Sequence, residues 1–172
     1  MRTRSITVLA LILAAGALAY GEMNIGGGAS FETGRPPIFP VLPQLFIQNV
    51  YRVGPWQAFG LDLTIAASPE NSSFANGAAA GPLVCVGADA SYLFPMLGPV
   101  EPAVLVGGWA FRDYHNLVNG STAQAGVGAA VRIGDFFIQG RVLYRFFAST
   151  GISKAPEPMG ILSIALLGGV TL

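Results

Sequence analysis

Four acids and four bases stand at alternate positions of segments that otherwise carry almost no charge: Glu22, Asp62, Asp89 and Glu101 against Arg52, Arg132, Arg141 and Arg145. Each shares its set of alternate residues with small or polar neighbours. Asp62 goes with Ala58, Gly60 and Thr64, Asp89 with Cys85, Gly87 and Ser91, and Arg141 and Arg145 with Gln139. The intervening sets are apolar, as in Phe59, Leu61, Leu63 and Ile65, or Phe136, Ile138, Val142, Tyr144 and Phe146. Carboxylates and guanidiniums confined in a narrow interior must pair, because an uncompensated buried charge is costly. Two kinds of chemistry follow. An exchangeable pair of Arg141 or Arg145 with Glu101 or Asp89 would act as a gate. A static network of Arg52, Asp62, Asp89, Glu101, Arg132, Arg141 and Arg145 would plug and stabilise the interior. The second reading is the better supported, since charge networks of this kind are generally structural.

Other reactive groups are sparse. The sole histidine, His115, lies between Asp113 and Asn116 in a polar stretch without a serine partner, so the serine–base–acid arrangement of hydrolases is incomplete. One histidine, one cysteine (Cys85) and no clustered carboxylates give no metal set, and no cofactor is implied. Cys85 reads as a small buried strand residue, and no intrachain disulfide is possible. Gly26-Gly27-Gly28 lacks the lysine and spacing of a phosphate loop. Asn71-Ser72-Ser73 and Asn119-Gly120-Ser121 match the glycosylation acceptor pattern, a short motif of low specificity. There is no basic patch, which argues against nucleic acid.

The elements that position these residues follow from the alternation. Successive strand side chains point to opposite faces. The last stretch separates Leu162, Ile164, Leu166, Gly168, Val170 and Leu172 from Ser163, Ala165, Leu167, Gly169 and Thr171. Only 10% of the 172 residues are charged, against roughly 25% in soluble domains, and 52% are hydrophobic. Yet the body has no run of about 18 apolar residues that would make a spanning helix. A transmembrane barrel satisfies both facts, because its apolar residues are spread over alternate positions. The pattern predicts eight strands: 22–31, 44–53, 56–67, 82–94, 100–112, 121–133, one starting at Phe136 and ending before Ala148, and 159–172. Strand two carries Gln48 and Arg52 on one face and Asn49 on the other, which suggests a bulge or a different register. Strand five has large apolar residues on both faces. Connections are expected to alternate, long after strands one, three, five and seven (32–43, 68–81, 113–120, 148–158) and short after the others. Tyr92, Phe94 and Phe136 are expected at one rim, and Phe31, Phe146 and Phe111 at the other, as two aromatic girdles.

The N-terminus has the parts of a secretory signal. Arg2 and Arg4 are followed by an apolar run from Ile6 to Leu18 and by Ala17-Leu18-Ala19 as a cleavage site. The expected division is a signal peptide, 1–19, and a single barrel domain, 20–172. Removing Arg2 and Arg4 leaves seven basic and nine acidic residues, a formal charge of −2.

With its signal segment, eight alternating strands and a strand at the C-terminus, the chain resembles small bacterial outer-membrane barrels of the OmpA/OmpX kind. The resemblance spans the whole of 20–172 and is one of architecture, without a diagnostic motif. It implies an all-β, eight-stranded, antiparallel up-and-down transmembrane barrel in the bacterial outer membrane, with outer-membrane lipid as its surroundings. It also implies recognition by the barrel-assembly machinery through 159–172. Such proteins usually end in an aromatic residue, where this chain has Leu172. The expected role is structural or surface-interacting and non-enzymatic, with four loops available to extracellular partners. The rivals are a small pore or carrier for hydrophobic or small solutes, a lipid-modifying enzyme and a soluble lipocalin-like barrel. The glycine- and alanine-rich opposite faces count against a soluble exterior.

Overall fold

A computed structural model describes residues 21–33, 41–53, 58–68, 73–74, 78–79, 83–113, 118–150 and 160–172. The expected signal segment 1–19, the cleavage site and His115 with Asn116 lie outside these residues. Eight long strands form one sheet: β1 (Glu22–Thr33), β2 (Leu42–Arg52), β3 (Ala58–Ser68), β4 (Leu83–Leu93), β5 (Val100–Asp113), β6 (Val118–Ile133), β7 (Phe136–Thr150) and β8 (Gly160–Thr171). Each is hydrogen-bonded antiparallel to its sequence neighbours, and β8 returns to pair with β1, so the sheet closes into a barrel. Closure leaves no unpaired sheet edge. A two-residue strand pair, Ser73–Phe74 with Ala78–Ala79, lies in the connection between β3 and β4.

The faces divide as alternation requires. Ile25, Phe31, Leu45, Ile47, Phe59, Ile65, Val86, Val104, Val106, Val127, Ile138, Val142, Leu162, Ile164 and Leu166 are exposed on the outer wall. The buried inward set contains Asn24, Ser30, Gln44, Gln48, Asp62, Thr64, Asp89, Ser91, Glu101, Gln124, Gln139, Arg141, Arg145 and Ser163. This is the reverse of a soluble barrel, and it is the arrangement that a lipid exterior favours. On β7, outward Phe136 and Phe146 are ten residue steps apart. At roughly 3.3 Å per residue and a tilt of roughly 40°, they bracket an apolar band about 25 Å tall.

Three expectations are corrected. No bulge interrupts β2, whose pairing to β1 and β3 is continuous. Asn49 simply occupies an outward position between Met23 and Leu61, where it is 5% exposed and its Oδ1 has no protein partner among the described residues. The register shift lies instead where Ser121 pairs with Ser149 and Thr122 with Phe147, which leaves Ala148 as the extra residue. Phe111 belongs to no outer girdle. It points inward and is 6% exposed, and its ring fits because its partner Gly120 has no Cβ to meet it. The long–short alternation of connections is also broken at 113–120. There β5 and β6 continue as a ladder to the Asp113–Val118 pair, so only 114–117 connect them. The tightest connection, 134–135, turns on Gly134 at φ +62°, a conformation that glycine adopts without steric cost.

The glycines of the inner wall make room for large neighbours. A Cβ at Gly87 would lie 2.5 Å from Trp109 Nε1, its partner across the ladder, and one at Gly26 would lie 2.9 Å from Phe46 Cε1. Two apolar clusters fill part of the interior. One is Val50, Ala58, Leu93, Ala103, Leu105 and Leu143. The other is Phe46, Phe137, Ala165 and Leu167, with Phe46 and Phe137 edge to face at 5.6 Å.

Candidate functional site

The lumen is where the charged residues converge, in two clusters. The first closes the end of the barrel at which the chain makes its short turns. Glu22 on β1, Arg52 on β2, Glu101 on β5 and Arg132 on β6 form a four-membered ring of alternating charge. Arg52 Nε donates to Glu22 Oε1 at 2.7 Å and Arg52 NH1 to Glu101 Oε1 at 3.1 Å. Arg132 NH1 lies 3.2 Å from Glu22 Oε2, and Arg132 NH2 donates to Glu101 Oε2 at 3.3 Å. In the strand order β1 and β2 are opposite β5 and β6, so the ring spans the lumen like a plate. Glu22 and Arg52 are partly exposed at the mouth, whereas Glu101 is 1% exposed. Planar guanidiniums bridging two carboxylates give directional, charge-assisted hydrogen bonds.

The second cluster lies deeper. Asp62 on β3 and Asp89 on β4 are directly opposed in the ladder and both point inward. Opposed like charges are destabilising, and the compensation comes from the far wall. Arg141 on β7 reaches across, with NH2 2.6 Å from Asp62 Oδ2 and NH1 4.0 Å from Asp89 Oδ2. Arg145 reaches Asp89 through an amide: its Nε donates to Gln124 Oε1 at 2.9 Å, and Gln124 Nε2 donates to Asp89 Oδ1 at 2.6 Å. The Arg145 guanidinium also stacks 4.2 Å from the Trp109 ring centroid, a cation–π contact strengthened by exclusion of water. Gly107 lies between Asp89 and Gln124 in the ladder, where a Cβ would run into the Asp89 carboxylate.

Of the gate-like combinations suggested by sequence, the structure brings together Arg141 and Asp89, and it gives Glu101 other partners. Glu101 pairs with Arg52 and Arg132. Asp89 is within ion-pair range of Arg141 and is linked to Arg145 through Gln124. The neutral groups that connect the charges, Asn24, Gln48, Gln124 and Thr171, are visible in the sequence only as inward positions on their strands.

Their placement follows from the barrel stagger. Arg145 pairs with Gln124, then Gly107, Asp89, Asp62, Gln48, Asn24 and Thr171 follow, each directly opposite the last. The other ladder partner of Arg145 is Ile161 on β8. The circuit therefore returns to β8 at Thr171, ten residues (171 − 161) further along. Over eight strands this stagger tilts the strands by roughly 40°. One polar hoop thus winds from the deeper cluster down to the plate. The described residues include no group of three or more histidine, cysteine or carboxylate side chains placed to hold a metal.

No protein-family model matches the sequence, and no curated protein matches it. Solved structures do. The attachment invasion locus protein Ail of Yersinia pestis aligns at 12% identity and TM-score 0.53, over 89% of this chain and 99% of that one. The N-terminal β-barrel domain of Pseudomonas aeruginosa OprF aligns at 14% and 0.55, over 89% and 98%. Neisserial surface protein A aligns at 15% and 0.57, over 88% and 96%. At these identities the likeness is one of backbone, and what it establishes is the fold: this chain is built as a closed, eight-stranded antiparallel barrel of the small outer-membrane type.

Proposed function

We propose that the chain is an exported bacterial outer-membrane protein whose barrel is an anchor with a sealed lumen. Its working surface is then the end carrying the connections 34–41, 69–82, 114–117 and 151–159. The observation that carries this reading is the inverted polarity of the wall: an apolar exterior, and an interior whose charges meet in a ring and a cross-lumen bridge. An eight-stranded barrel is only wide enough for side chains to fill, and here they do so with paired charges and two apolar clusters. On this reading 1–19 is the export signal, the terminal strand is offered to the assembly machinery, and the role is non-enzymatic. Among the fold neighbours, one is named for attachment and invasion and another as a surface protein, which supports a surface-interaction role.

Two measurements on the folded protein test it. In SDS, unboiled protein should migrate apart from boiled protein, because a closed barrel resists the detergent until heated. In planar bilayers the wild type should show no sustained conductance. Sustained unitary steps would favour the rival reading, a small pore, and protein found in soluble fractions without a mobility shift would sink the membrane reading.

A further inference from the structure

We propose that the lumen holds a bound water molecule against Asp62, between Gln48 Nε2, Asp62 Oδ1 and Ser91 Oγ, and that this water joins the two charge clusters into one hydrogen-bonded network. The joining role rests on the reading of the lumen as a sealed, structural interior. Among the described residues these three atoms are buried and none meets strict hydrogen-bond geometry with a protein partner, although the Gln48 amide stands close enough to the Asp62 carboxylate to interact with it. They belong to adjacent strands at the same level. Gln48 and Asp62 are direct ladder partners, and Ser91 faces Gly60, the inward residue next to Asp62 on β3. A Cβ at Gly60 would lie 3.2 Å from Gln48 Nε2 and would meet Ser91 Oγ, so both groups converge over that glycine. Three unsatisfied polar partners around one point are what a buried water typically takes.

The hydrogen-bond directions decide what the site accepts. Arginine only donates. Arg132 NH1 donates to Thr171 Oγ1 at 3.2 Å, so the Thr171 hydroxyl donates onward to Asn24 Oδ1 at 2.7 Å. Asn24 Nδ2 then donates to Gln48 Oε1 at 2.8 Å. With its oxygen engaged, Gln48 presents N–H donors to the site, opposite the accepting Asp62 carboxylate. A cation would face those N–H groups with the Arg141 guanidinium 2.6 Å from Asp62 Oδ2, and an anion would face the carboxylate. The ligand that fits is neutral, about the size of one water, and both donates and accepts. On β2 and β5, apolar Val50, Ala103 and Leu105 separate the two clusters, so the run Thr171–Asn24–Gln48–water–Asp62 is the connection between them.

The test is cross-relaxation with water, measured by NMR at the Gln48 side-chain amide of the folded protein in nanodiscs. A long-lived water cross-peak is expected in the wild type, and it should weaken in Ser91→Ala, which removes one of the water's three partners. Because exchange of the Ser91 hydroxyl would give a similar peak, the deciding observation is electron density for one water among the three atoms in a crystal of the wild type. Absence of that density, with Gln48 bonded directly to Asp62, would overturn the proposal, and so would a cross-peak unchanged in Ser91→Ala. The readout is independent of conductance and of loop binding, so the lumen could prove open or closed without deciding this result.

Discussion

Arg141 is the residue on which the deeper cluster depends. It is 3% exposed, reaches across the lumen, and neutralises Asp62, which is fully buried. Removing one member of a buried pair leaves an uncompensated charge, which costs about 3–5 kcal/mol. Arg141→Met should therefore destabilise the barrel by that order, measured as urea unfolding in lipid vesicles followed by tryptophan fluorescence. Asp62→Asn should cost clearly less, because Arg141 keeps Asp89 and the repulsion between the opposed acids is relieved. Equal losses in the two variants would refute this account of the bridge. Space is as specific as charge. A side chain at Gly107 would collide with the Asp89 carboxylate and with the Ala88 backbone carbonyl. Gly107→Val should reduce the yield of heat-modifiable folded protein, whereas the same change at Gly140, whose Cβ position is open, should not.

At the scale of the element, each strand separates a lipid-facing row from a lumen-facing row, and depth matters on the outer row. Leu166 of β8 is outward and pairs with Gly140, near the midpoint between Phe136 and Phe146. An arginine at the midplane of a barrel wall costs about 2–4 kcal/mol, against about 0–1 near the interface. Leu166→Arg should fall in the first range and Phe136→Arg in the second, compared by the same unfolding assay. Similar costs at both sites would argue against a bilayer centred between those rims. The alternation behind these rows was legible in the sequence because it is a local property, readable strand by strand. It failed where local signals conflict. Strand five has bulky apolar residues on both faces, so nothing in it reveals that Phe111 turns inward; the reason lies on another strand, at Gly120. Asn49 mimics a bulge by being polar on an outward position. The extension of β5 and β6 overrides a polar stretch that reads as a loop.

At the scale of the whole molecule, which charge meets which is set by the ten-residue stagger accumulated around the barrel. No single strand contains that information. All eight lumen charges are identifiable in the sequence, but the association of Glu101 with Arg52 and Arg132, and of Arg141 with Asp62, appears only once eight registers are composed. Sequestration of these pairs has a measurable outcome. Salt screens exposed charges over about 8–10 Å near physiological ionic strength and buried ones far less. The temperature at which the folded form is lost on gels should change little between low salt and about 1 M salt. A steep drop would place the stabilising weight on the partly exposed Glu22–Arg52 contact rather than on the interior.

The balance of the lumen also settles where the protein carries its net charge. Once the proposed export signal is removed, residues 20–172 hold sixteen charges, and the eight inside cancel, four against four. The remainder are Arg35, Arg112 and Lys154 against Glu32, Glu70, Asp113, Asp135 and Glu157. The formal excess of −2 thus resides outside the lumen network, and by sequence it divides between the two ends: three basic and four acidic residues fall in or beside the long connections, net −1, and Asp135 in the 134–135 turn supplies the other −1. The electrophoretic mobility of the folded protein is accordingly set at its two poles. Substitutions there would move it along a ladder of unit charges while the barrel between them stays electrically silent.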